Sequence, residues 1–270
     1  TTILAVLVSF TMSAQLSSVT ENSKTGQRLT VSTAANHGDI GSNAVDLSYS
    51  NSVSTTKGAT GNASTAMGYG TIASGLYSTA MGYATTASNR AGTAMGDRTT
   101  ASAWYSTAMG TETTASGANS TAMGSSTTAS GDASTAMGYG TTASGANSTA
   151  MGWGTTASDF ASLSIGTYNL VNSVVTTGGE ANNFDTDNAA FVIGNGNYDF
   201  ISGQVNSDAF VVYYNGNATL SGDLTINSDE RLKDNIQPLG STLNKLHQIE
   251  AKTYSLKKDE EHTPKIGVLA

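Results

Sequence analysis

Between Asn62 and Gly166 the phrase Ser-Thr-Ala-Met-Gly returns every fourteen residues, and this fixed short period limits the chain to few folds. Met67, Met81, Met95, Met109, Met123, Met137 and Met151 share the register, and Ile165 takes the next place in the column. Glycine follows each of them without exception, from Gly68 to Gly166, while Ala73, Ala87, Ala101, Ala115, Ala129, Ala143 and Ala157 mark the other half of each unit. Such self-similarity is the mark of a solenoid, in which each repeat makes one coil and stacked neighbours bury what a single coil cannot. Fourteen residues cannot hold two helices. They hold two short strands and two turns, and abundant Gly, Ser and Thr disfavours helix while Thr suits a pleated strand.

Strand parity then sorts the side chains, because successive residues point to opposite faces. In the first unit Thr65 and Met67 face one way, and Ser64, Ala66 and Gly68 the other. In its second half Thr71, Ala73 and Gly75 share a face, opposite Ile72 and Ser74. Two interiors fit this parity: a narrow one closed on the alanines, with methionine outside, or a wider one closed on the methionines. The alanine interior is favoured, since Ala recurs in both halves of the coil and Met in only one, and facing strands need matched sizes to pack without voids. An outward ladder of methionines then needs cover, which other copies of the chain would supply.

Ser-Thr-Ala-Met-Gly followed by Thr-x-Ala-Ser-Gly resembles the YadA-like head repeat of trimeric autotransporter adhesins, whose consensus reads Ser-Val-Ala-Ile-Gly and then Ser-x-Ala-x-Gly. The resemblance covers about 110 residues. It implies an all-β fold, a left-handed parallel β-roll solenoid of 14-residue coils, homotrimeric, in a surface adhesin. Met67, Met81, Met95, Met109, Met123, Met137, Met151 and Ile165 would then form the trimer core. The departure is a column of Thr where the family has Val (Thr65, Thr79, Thr93, Thr107, Thr121, Thr135 and Thr149), which makes the expected seam more polar.

Composition agrees with a tight-turned β-solenoid rather than an enzyme with a large core: 12% of residues are charged, 7% are aromatic, and there are 30 Gly against 2 Pro. Disorder would not need Met and Gly in strict register. A net charge of −8 argues against nucleic acid as a partner, since phosphates demand clustered Lys and Arg. The absence of cysteine excludes disulfides and thiolate metal sites.

The regions around the array read as follows. Residues 1–15, with an apolar run from Ile3 to Phe10 and small residues before Gln15, are a possible signal peptide, too short to span a membrane. Residues 16–60 are a polar lead-in, with short strands such as Arg28 to Ser32, expected to cap the first coil and its open edge. Val53 is expected as a degenerate copy of the Met position. Within residues 61–166 the aromatics Tyr69, Tyr77, Tyr83, Trp104, Tyr105 and Trp153 are expected at turns, as cover for neighbouring coils or as a platform for sugar rings. Adjacent threonines such as Thr85/Thr86 and Thr99/Thr100 also stack, an arrangement shared with ice-binding β-solenoids, although only one of each pair would be displayed.

Residues 167–228 lose the period and read as a small β-rich neck. Ala190 to Ile193 and Phe210 to Tyr214 are expected strands, and Asn215-Gly216 is a hairpin signal before Ala218. Asp185 and Asp187 lack the ladder, Gly and terminal Glu of a calcium loop. No cofactor or metal motif is present. Residues 229–270 form a short α+β piece that holds fourteen of the thirty-two charged residues, with a helix expected over Ser241 to Ile249.

Ser228-Asp229-Glu230-Arg231-Leu232-Lys233 and the later Ile266-Gly267-Val268-Leu269-Ala270 resemble the start of the endosialidase-type intramolecular chaperone domain at the ends of phage tail spikes and other trimeric fibres. In that family the domain assembles the trimer and cuts itself off before the Asp. The resemblance implies Ser228 and Lys233 as the catalytic pair for self-cleavage before Asp229, by a lysine base acting on a serine hydroxyl. The family domain runs on for many more residues than Ala270, so the expectation is a truncated domain. His37, His247 and His262 read as isolated, and no carboxylate pair or phosphate loop occurs in the array. The expected function is a secreted or bacterial cell-surface attachment fibre, with a glycan or protein receptor; a phage tail fibre is the alternative and an ice-binding solenoid the more distant one.

Overall fold

The computed structural model describes residues 16–170, 181–200, 203–222, 252–254 and 265–267. It divides into one unit spanning Thr1–Asp223 and a second spanning Leu224–Ala270. In the second, Lys252–Tyr254 pairs antiparallel with Lys265–Gly267. The helix expected over Ser241 to Ile249 and the leader expected over 1–15 lie outside the described residues.

Each coil of the first unit contributes one five-residue strand and one two-residue strand, as Thr65–Tyr69 and Ile72–Ala73 do in the first full repeat. The long strands stack in parallel from Val45–Tyr49 to Leu163–Thr167, and the ladder continues onto Ala189–Asn195. The short strands, Gly58–Ala59 to Thr156–Ala157, form a separate parallel sheet of eight. Register is strict, with Thr on Thr, Ala on Ala, Met on Met and Gly on Gly in successive coils. A fixed repeat length is what allows this, since a one-residue slip would turn every inward side chain outward.

The interior is made of alanine. Every Ala from Ala66 to Ala150 at the second position of a long strand, and every Ala from Ala73 to Ala143 in the short strands, is 0% exposed. Met67, by contrast, is 37% exposed and the methionines after it are half-buried. The full burial of the alanines beside the partial exposure of the methionines decides between the two interiors in favour of alanine. The glycine after methionine is equally constrained: Gly110 has φ +120°, and a Cβ there would lie 1.9 Å from the carbonyl oxygen of Gly124 in the next coil.

The ends differ from the middle. At the start, Leu16–Glu21 pairs antiparallel with Lys24–Leu29, which then pairs parallel with Val45–Tyr49. The expected strand at Arg28 to Ser32 therefore lies earlier, over Lys24–Leu29, and a hairpin covers the edge. At the other end Asp208–Tyr213 closes antiparallel on Ala189–Asn195 and turns through Gly216 (φ +83°) into Ala218–Leu220, the hairpin that Asn215-Gly216 signals.

Candidate functional site

The outward face of the long-strand sheet is built from alternate residues: Thr65, Met67 and Tyr69 in one coil, Thr79, Met81 and Tyr83 in the next. Parity places them there, since Ala66 between them must point into the coil. All eight residues expected to form the apolar seam, Met67 through Ile165, lie in this one column and project outward. The column is longer than sequence reading made it. Leu47 pairs with Met67 at one end and Ile193 with Ile165 at the other.

Leu47 is a correction, because Val53 was the residue expected in this place. Val53 is 80% exposed outside any strand. The signal was present in Val45-Asp-Leu-Ser-Tyr49, which matches Thr65-Ala-Met-Gly-Tyr69 in parity once Ser is accepted for Gly. Ile193-Gly194 repeats Ile165-Gly166 two periods later. The threonine column beside the methionines also turns apolar at its ends, with Val45 before Thr65 and Leu163 and Phe191 after Thr149.

The aromatics fall in two places rather than one. Tyr69, Tyr83 and Trp153 end long strands instead of lying in turns, on the same face as the methionines. Tyr69 and Tyr83 stack with ring centres 5.4 Å apart and planes 8° from parallel, and Tyr49 joins them at 5.9 Å. A second cluster runs Tyr139, Trp153, Tyr168. Between the clusters the column carries Asp97, Thr111 and Ser125, where Arg98 bridges Asp97 and Glu112 at 3.2 and 2.9 Å on an exposed surface. Tyr77 and Tyr105 do occupy turns, with φ of 60° and 58°.

Of each threonine pair one member is inside. Thr85 and Thr99 are fully buried, whereas Thr86 and Thr100 point out from the short strands as a column one residue wide.

A buried polar cluster in the N-terminal cap escaped sequence reading. Arg28, 3% exposed, holds both carboxylate oxygens of Glu21 at 2.8 and 3.2 Å, donates to Asp46 at 3.3 Å, and donates to the Gly38 carbonyl at 2.9 Å. His37 is not isolated. Its Nδ1 lies 3.0 Å from Asp46 Oδ2, and Ser48 donates from Oγ to Asp46 Oδ1 at 2.6 Å. Burial opposes ionisation of Asp46, but hydrogen bonds from His37 and Ser48 outweigh it and hold the carboxyl below its ordinary value. Glu21 behaves likewise, burial being outweighed by Arg28 and the Ile40 N–H. The Ser, His and Asp residue types do not make a nucleophile here. Serine and imidazole both address the carboxylate, and His37 Nε2 is buried with no partner.

Among the described residues no group of three His, Cys, Asp or Glu side chains gathers to hold a metal, and no helix is long and apolar enough to cross a membrane. Ser228, Asp229 and Lys233 lie outside the described residues.

A parallel β-solenoid with an alanine core and one continuous apolar column on its outer face defines the class. Residues 59–168 match, in overlapping copies, the family described as YadA head domain repeat, and residues 228–270 match the family described as chaperone of endosialidase. The chain thus carries YadA head repeats over its solenoid and, after it, a segment similar to the endosialidase chaperone. No curated protein matches it.

Proposed function

We propose that the protein is a secreted, surface-displayed homotrimeric fibre whose β-roll mediates attachment to a glycan or protein receptor, and whose C-terminal domain assembles the trimer and then cleaves the Ser228–Asp229 bond. One observation carries this reading: the unbroken outward column Leu47, Met67, Met81, Met95, Met109, Met123, Met137, Met151, Ile165, Ile193. At about 4.8 Å per strand it runs for roughly 43 Å. A soluble chain rarely leaves such a stripe bare, and its flexible thioethers adapt well to a shared seam. Burying it between three copies answers both the exposure and the poverty of a core built from alanine, threonine and serine.

The chaperone has a physical rationale. Parallel strand pairing is non-local and slow, so a terminal domain that holds three chains in register would favour correct folding. In the cleavage reaction a neutral Lys233 would take the proton of the Ser228 hydroxyl and activate it for attack. The chaperone match supports the same assembly on a virion tail, which remains the second reading of where the fibre is displayed.

Light scattering of the purified chain is expected to give three copies, and Met109→Glu with Met123→Glu is expected to give one. A monodisperse wild-type monomer would contradict the seam. For cleavage, Ser228→Ala and Lys233→Ala in the full gene product should each leave the C-terminal piece attached, and normal release in both would remove the pair from its role.

A further inference from the structure

At the C-terminal end of the array three inward columns change character within one coil. Ser164 stands beside Ala150 where the preceding coils carry alanine. Asp159 stands fourteen residues after Gly145, and Asn169 fourteen after Thr155. All three are buried, at 1%, 7% and 2% exposure for Ser164, Asp159 and Asn169.

With Asp208 these residues line a partly open cavity in which the centre of a water-sized sphere has about 20 Å³ to move. About 10–15 Å³ is enough for one water or ion. Asp159 spends Oδ2 on the Ala189 N–H at 2.8 Å, and Asp208 spends Oδ1 on the Leu170 N–H at 2.9 Å. The Asn169 amide accepts from the Thr156 N–H and donates to the Thr156 carbonyl. The Ser164 hydroxyl, deeply buried and lining the cavity, has no hydrogen-bond partner among the described residues.

Among the described residues no side chain balances the two carboxylates. From Thr99 to Glu230 the sequence contains no Lys, Arg or His, and neither aspartate has an ion-pair partner among the described residues. Burial pushes both carboxyls above their ordinary value, outweighing the hydrogen bonds from Ala189 and Ser158 to Asp159 and from Leu170 to Asp208.

We propose that this cavity binds one hard divalent cation of the calcium class, held by oxygens of Asp159, Asp208 and Ser164, which pins the last coil to the strands that follow it. Every donor is oxygen, which selects a hard ion over a transition metal. Two carboxylates match a double positive charge, and an irregular site of this kind suits calcium better than magnesium, which demands near-ideal octahedral geometry.

The test is calorimetric titration of CaCl2 into chelator-stripped full chain, paired with thermal melting. One site per chain is expected, with a dissociation constant of about 10⁻⁴–10⁻³ M, the range of extracellular calcium modules. Saturation should raise the melting midpoint by about 2–4 °C over NaCl of matched ionic strength. Asp159→Asn and Asp208→Asn should abolish both effects. Ser164→Ala, which restores the alanine of the preceding coils and so should fold, should weaken binding about tenfold, while Glu112→Gln should not alter it. No heat up to about 10 mM, equal stabilisation by matched NaCl, or binding unchanged in Ser164→Ala and both aspartate variants would overturn the proposal.

Discussion

The interior of the coil carries a row of hydroxyl groups that nothing satisfies. Thr71, Thr85, Thr99, Thr113, Thr127, Thr141 and Thr155 are 0% exposed, and none of their Oγ1 atoms has a hydrogen-bond partner. Stacked hydroxyls stand about 4.8 Å apart, beyond hydrogen-bond reach, and the flanking alanines offer only methyl groups. Valine has the same shape without the buried oxygen. Thr113→Val is therefore expected to stabilise the array, by about 1–2 kcal/mol in chemical denaturation; a loss of stability would mean that the hydroxyl has a bonding partner. Gly110 makes the opposite case. Alanine there meets both a positive φ and the Gly124 oxygen at 1.9 Å, so Gly110→Ala is expected to cost on the order of 2–4 kcal/mol in the same measurement.

At the scale of elements, the hairpin Leu16–Glu21 and Lys24–Leu29 ends the sheet, and Arg28 fastens it to Asp46 in the next strand. Removing the guanidinium leaves Asp46 and its neighbours buried with less positive charge than they need. Arg28→Ala is expected to destabilise the cap by about 3–5 kcal/mol, seen as a loss of amide protection over 16–49 while the central coils keep theirs. Uniform loss along the array would contradict a local role. The cluster was illegible in the sequence because Glu21, Arg28, His37 and Asp46 have no common spacing; they meet only through the irregular path between the hairpin and the first coil. The Tyr69 and Tyr83 stack was half legible. Their fourteen-residue spacing is plain, but whether they sit on a strand or a turn depends on where each long strand stops.

Across the whole molecule the two ends of the array are opposite in their response to acid. Glu21 and Asp46 titrate below their ordinary values of 4.5 and 3.8, so the stability they supply is complete above those values and lost as pH falls through the lowered ones. Asp159 and Asp208 titrate above 3.8, so without a bound cation their end of the array gains stability as pH falls through the raised values toward 3.8. Hydrogen exchange of the chelated protein between about pH 3 and 6 is expected to show protection falling over 16–49 and rising over 156–170 as acid is added. Parallel changes at both ends would refute this.

The sequence by itself determined the period, the two-strand coil and the single column of the methionines, because a repeat of fixed length carries its register and side-chain parity in the spacing alone. Only the tertiary structure decided where the period is broken. It placed Leu47 and Ile193 in the column, joined His37 to Asp46 and Arg28, and brought Asp208 beside Asp159 and Ser164. Those contacts join residues whose separation follows no repeat, so they are fixed by how the chain packs over the ends of the solenoid.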